Sequence, residues 1–78
     1  MNLNKCKVLD KVMITKIDGD EEFKQRLYSF GIHIGSSIKV KNITLAKQTI
    51  QIENEDGTLI ALRLEESKLI KVKKYESY

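Results

Sequence analysis

Between Asp20 and Ile32 the chain writes out one complete helix, with a start, an apolar face and a stop. Asp20 can accept a hydrogen bond at an N-terminus, and Glu21 and Glu22 place negative charge in the first turn, where the helix dipole favours it. Phe23, Leu27 and Phe30 then recur at i, i+4 and i+7, which lines up one apolar face. Gly31 ends the run. With Phe30 as the C-cap, Gly31 takes the next position, where left-handed backbone costs glycine little, and Ile32 comes back against Leu27. The pattern predicts a helix over 21–30.

Everything around that helix alternates like strand. Val12 to Ile17 carries β-branched residues before an Asp18-Gly19 turn, and Ile38 and Val40 alternate with Lys39 and Lys41. The apolar phase then slips by one residue to Ile43 and Leu45. Such a slip turns every later side chain to the other face unless a bulge or bend absorbs it. Ile50 and Ile52 precede a turn-rich stretch, and Ile60, Leu62 and Leu64 follow it. A three-residue loop, Glu55 to Gly57, sets Ile52 opposite Ile60 and Ile50 opposite Leu62, so that one consistent face is buried. It also puts Gly57 where the common hairpin loop needs a left-handed residue. Glu65-Glu66-Ser67 can form a single helical turn before a last short strand, Leu69 to Val72. The order is β-α-β-β-β-β. One helix cannot build a repeated βαβ sheet, so the fold class is an all-β small barrel, mostly antiparallel, with one helix inserted after the first strand.

Size and composition narrow the functions open to such a barrel. The chain has 78 residues, 41% hydrophobic and 32% charged, with no Pro and no Trp, which suits one globular domain over 1–78 with its core at about 8–72. No uncharged stretch approaches the roughly 18 apolar residues of a membrane span, and Lys5, Lys7 and Asp10 stand where a signal peptide would be apolar. The one cysteine, Cys6, cannot form an internal disulfide and suits a reducing compartment, so a cytoplasmic location is expected. Net charge is +3. Basic residues gather at Lys5, Lys7 and Lys11 and again at Lys71, Lys73 and Lys74, and read first as solvated, edge-protecting surface.

Catalytic chemistry finds little support. His33 is the only histidine and Cys6 stands alone near a terminus, with no third group to orient a dyad. One Cys and one His fall short of a structural zinc site, and the run from Asp18 to Glu22 lacks the order of a calcium loop. There is no phosphate loop of the G-x-x-x-x-G-K-S/T kind. No catalytic, metal or cofactor site is expected.

Two stretches resemble a known family. Arg26-Leu27-Tyr28-Ser29-Phe30-Gly31-Ile32-His33-Ile34-Gly35, continuing through Ile38 to Val40, is similar to the first signature of the FeoA family, R-L-x-x-(L/F)-G-(I/L/F)-x-x-G. Leu59 to Val72, with Ala61-Leu62-Arg63 and Glu66-Ser67, resembles its second. Members usually carry a glycine before the first strand, where this chain has Leu9-Asp10. In the middle hairpin, where many have G-D-P, it has Ala46-Lys47-Gln48-Thr49. The resemblance implies an SH3-like barrel and a non-enzymatic accessory protein of bacterial ferrous iron uptake, one that binds the cytoplasmic part of the FeoB membrane GTPase. Neither nucleic acid nor direct membrane insertion is implied. The alternative is an SH3-like regulatory domain of the kind that ends iron-dependent repressors, although 78 residues hold no DNA-binding helix-turn-helix. A nucleic-acid-binding barrel would need aromatics for stacking on the sheet, and Phe23 and Phe30 belong to the helix face. Partner contact is expected around the helix C-terminus, through Arg26, Tyr28, Ile32, His33 and Ile34, with Arg63 as an outlying member. Leu27, Gly31 and Gly35 serve the backbone. Local ion pairs, Arg26 with Glu22 and Arg63 with Glu65, are the competing use of the two arginines.

Overall fold

The computed structural model describes residues 1–74, and residues 75–78 of the expected domain lie outside the described residues. A 3-10 turn, Leu3–Lys5, leads into strand β1, Lys11–Ile17, and helix α1, Glu21–Ser29. Strands β2, Ser37–Thr44, β3, Thr49–Glu53, and β4, Leu59–Arg63, follow. The short helix α2, Leu64–Ser67, and strand β5, Ile70–Lys74, complete the fold. All five strands form one antiparallel sheet in the order β4-β3-β2-β1-β5. This is the expected β-α-β-β-β-β arrangement, with a last strand that starts one residue later and runs to Lys74.

Alternation decides which side of the sheet is buried. Val12 and Ile14, Ile38 and Val40, Ile50 and Ile52, Ile60 and Leu62, and Ile70 and Val72 turn inward in pairs, two from each strand. Each such side chain taken from water contributes about 1.5–3 kcal/mol. Helix α1 closes over this layer with Phe23 and Leu27, and Leu3 and Ile32 belong to the same buried cluster. The hairpin register is the one a three-residue loop demands, Ile50 opposite Leu62 and Ile52 opposite Ile60. Gly57 there has a φ of 85°.

The phase slip in β2 is absorbed by a bulge. Val40 faces Ile52, yet Asn42 already faces Gln51, so Lys41 is the extra residue, and a second irregularity lies between Ile14 and Lys16. Bulges of this kind bend a strand and sharpen its twist. Ile43 returns to the inner side in consequence and packs partly buried against the core. Leu45 does not. The strand ends at Thr44, so Leu45 stands in the hairpin tip, 76% exposed.

Helix α1 also differs from its expected face. Phe30 is the C-cap, with φ −91° and ψ 6°, so its side chain leaves the helical phase and is 42% exposed. Ile32 supplies the third apolar contact instead. Its N–H donates to Leu27 O at 2.9 Å, and that of Gly31 donates to Tyr28 O at 2.9 Å. These two bonds are the Schellman pair, and they fold Ile32 back over Leu27. At the other end Asp20 caps as expected, its carboxylate accepting from the Phe23 N–H at 2.9 Å.

Candidate functional site

The loop that follows α1 is rigid because its backbone is bonded at both ends. Gly31 has a φ of 78° and Gly35 a φ of 94°, both in the left-handed region that glycine enters freely. The Gly35 N–H donates to Ile14 O at 2.8 Å, and the Ile14 N–H donates to Ser36 O at 2.9 Å, so the loop rides on β1. Ser36 is buried and its hydroxyl accepts from the His33 N–H at 3.1 Å. Between these anchors only His33 and Ile34 project outward.

Those two side chains meet the last turn of α1. Tyr28 is 71% exposed and Ile34 64%, and the Tyr28 and His33 rings lie with centroids 5.9 Å apart at 46°. Together with Ile17 and Lys24 they line an open, mainly apolar groove of about 480 Å³, with Ile32 beneath. Ile32 was expected on the docking surface. It is fully buried, because the Schellman ending needs it against Leu27, and so it supports the groove without offering contact area.

The two arginines lie elsewhere, and they lie together. Arg26 does not pair with Glu22; its guanidinium donates to Glu66 Oε2 and stacks over the Phe23 ring, 5.4 Å from the centroid. Arg63 does not pair with Glu65 either. Its backbone N–H donates to Glu66 Oε1 at 3.0 Å, where Glu66 caps the start of α2. One carboxylate therefore ties helix α1 to the end of β4. Burial pushes the Glu66 carboxyl up, but the Arg63 N–H and the Arg26 guanidinium outweigh it and hold its pKa below the ordinary value. The Arg63 side chain stays exposed on the outer face of β4.

Asn54 is the residue that the sequence did not single out. It is buried at the end of β3, its Nδ2 donates to Phe30 O at 2.8 Å, and its Oδ1 accepts from the N–H groups of Asp56 and Thr58 at 2.9 and 3.0 Å. The helix ending and the β3–β4 hairpin thus share one amide. Only the turn signal of Asn54 was visible locally, since Phe30 lies 24 positions away.

Reactive chemistry is not assembled anywhere in the described residues. No three His, Cys, Asp or Glu side chains group there as a metal site. Cys6 is buried, and desolvation followed by the charge of Asp10 pushes its thiol up, away from the reactive thiolate. No helix among the described residues is long and apolar enough to cross a membrane. What the surface offers is a rigid apolar groove beside a helix end, suited to binding another macromolecule.

Comparison with known proteins places this architecture. The chain is 35% identical over 72 residues to an Fe(2+) transport protein A of Campylobacter jejuni, covering 92% of this chain and 96% of that protein. Its fold is similar to the solution structure of the FeoA protein from Chlorobium tepidum, with a TM-score of 0.90 at 24% identity over 97% of this chain and 71% of that one. A manganese-dependent transcriptional repressor contains a similar fold, with a TM-score of 0.89 at 20% identity, over 96% of this chain but 36% of the repressor. The FeoA domain model matches residues 1–74, and the chain belongs to the FeoA domain family.

Proposed function

We propose that this protein is a non-enzymatic, cytoplasmic accessory protein of bacterial ferrous iron uptake that docks on the cytoplasmic GTPase part of a FeoB-like transporter and assists or regulates it. The groove at the end of α1 carries this reading. His33 and Ile34 are held outward by a loop bonded to β1 and Tyr28 by the last turn of α1, although the core needs none of them. Exposed apolar side chains on a rigid frame bind at low entropic cost, and aromatic residues are over-represented among those that carry binding energy. Arg26, half-exposed and oriented by Glu66, adds a charged donor on the same helix.

Binding of the intact chain to the purified cytoplasmic part of the transporter tests the reading. Ile34→Asp and Tyr28→Ala should each weaken the complex about tenfold or more, a loss of at least ~1.4 kcal/mol. Their melting curves should match the parent, because both side chains are exposed. Two folded variants that bind like the parent would move the docking surface elsewhere on the barrel.

A further inference from the structure

Strands β1, β2 and β5 carry two, two and three lysines respectively, and no aspartate or glutamate. The register puts Lys11, Lys16, Lys39, Lys71 and Lys73 on one side, whereas Lys74, opposite the buried Val12, belongs to the other. Lys11 faces Lys39 across β1–β2, Lys16 faces Lys71 across β1–β5, and Lys73 faces Met13. Cross-strand partners share a face of the sheet, and the buried pairs of these strands occupy the other, so these five lysines stand on the outer surface. Like charges directly opposite each other weaken a sheet, and nothing in the core asks for lysine here. Among the described residues acid borders this face: Asp18 lies 3.6 Å from Lys16, and Glu53 faces Lys39 from β3. Glu55, which accepts from the Ser37 N–H at 2.7 Å, lines a groove with Glu53, Leu9, Lys11 and Lys39.

An apolar feature adjoins this face. The chain enters β1 through Leu9, whose side chain is 65% exposed and whose φ of 80° is one that L side chains rarely adopt. Val8 beside it is exposed as well. The Leu9 N–H donates to Val40 O at 2.7 Å, which fixes Leu9 next to Lys39. Neither burial nor backbone preference accounts for an outward leucine at this position.

We propose that this lysine face adsorbs on an anionic lipid bilayer, with the ammonium groups against headgroup phosphates and Val8 and Leu9 seated shallowly at the acyl boundary. Surface charge and a small apolar insertion are each weak anchors, and stable attachment combines two such signals. The face suits a bilayer better than a nucleic acid. Its three strands hold no Phe, Tyr or Trp to stack a base and no Arg to grip a phosphate through two bonds. Exposed aliphatic residues likewise have no role against a polyanion. Adsorption leaves the chain lying on the membrane without crossing it. It also leaves the α1 groove free, since different residues line that groove.

Vesicle flotation of the intact chain decides the matter. Binding is expected to vesicles of phosphatidylcholine mixed with phosphatidylglycerol, not to phosphatidylcholine alone, and should fall as salt is raised. Changing Lys71→Glu and Lys73→Glu together should lower partition about tenfold or more. The milder Lys71→Gln, Lys73→Gln pair gives a smaller loss in the same direction and keeps the test decisive if charge reversal disturbs folding. Leu9→Gly should lower partition several-fold without lowering the melting temperature. The proposal is overturned by absence of phosphatidylglycerol-dependent binding at low salt, by parent-like binding of the glutamine pair, or by tighter retention on RNA or DNA in the same buffer.

Discussion

Two left-handed turns, one at Leu9 and one at Gly31, meet the same backbone demand in opposite ways. Gly31 has a φ of 78° and Leu9 a φ of 80°. After α1 the demand is met by residue choice: glycine enters the region freely, and the Schellman bonds and Asn54 complete the turn. Before β1 a leucine is forced into it. The Asp10 N–H donates to Lys7 O at 3.0 Å, the Asp10 carboxylate accepts from the Lys7 N–H at 2.8 Å, and Val40 O takes the N–H of Leu9. A strained residue persists where its surroundings over-determine it, and such residues concentrate where function needs them.

The contrast breaks most visibly at Gly31. Gly31→Val should cost about 2–3 kcal/mol, because a β-branched residue is poorly accommodated at positive φ. A Cβ there would meet Asn54 Nδ2 at 3.5 Å, an ordinary contact, so the cost lies in the backbone. Thermal melts should show a fall of about 10 °C or more for a domain of this size; an unchanged melting temperature would mean that the helix ending does not need glycine at this position.

Leu9→Gly should move stability the other way. Relief of about 1–2 kcal/mol of left-handed strain is partly offset by the roughly 0.5–1 kcal/mol of extra chain entropy that glycine loses. The exposed side chain gives up little burial, so a rise of a few degrees in melting temperature is expected. A clear fall would show that leucine packs here in solution.

Glu66 touches neither turn, and its contribution rests on charge instead of backbone conformation. Its carboxyl is lowered in the folded protein, so its contribution is present above the unfolded value of about 4.3 and fades as pH falls through the lower folded value. Glu66→Gln should lose about 0.5–1 kcal/mol at neutral pH. Parent and variant should then converge in acid. Urea titrations across that range would show it, and a difference that persists undiminished in strong acid would assign the loss to shape and not to charge.

What could be read in the sequence was what neighbours along the chain decide. The caps of α1, the Schellman ending and the β3–β4 register all rest on residues within a few positions of one another. Phe30 misled because helical periodicity continues past the point where Gly31 turns the backbone away. Leu45 misled because a bulge at Lys41 restores the phase while the strand stops at Thr44. At the site, Tyr28, His33 and Ile34 stand where their motif placed them, exposed beside the helix end. Ile32 was absorbed by the core, and the partners of Arg26 and Asn54, 40 and 24 residues away, belong to the tertiary fold. No local pattern carries such pairings.

The pairing of β1 with β5 sets the order in which this molecule can be made. Val12 sits beside Lys74 and Ile17 beside Ile70, so β1, the strand next to the sheet edge, has its outer neighbour in the last described segment. During synthesis β1 emerges first, yet its edge on that side stays open until residues 70–74 clear the ribosome. The hairpins of β2, β3 and β4 close by short loops meanwhile, whereas the β1–β5 contact bears the full entropy of a long loop. Chains released before Ile70 would keep the hairpins and leave a raw strand edge beside the core, the form that a protease or a second nascent chain would meet.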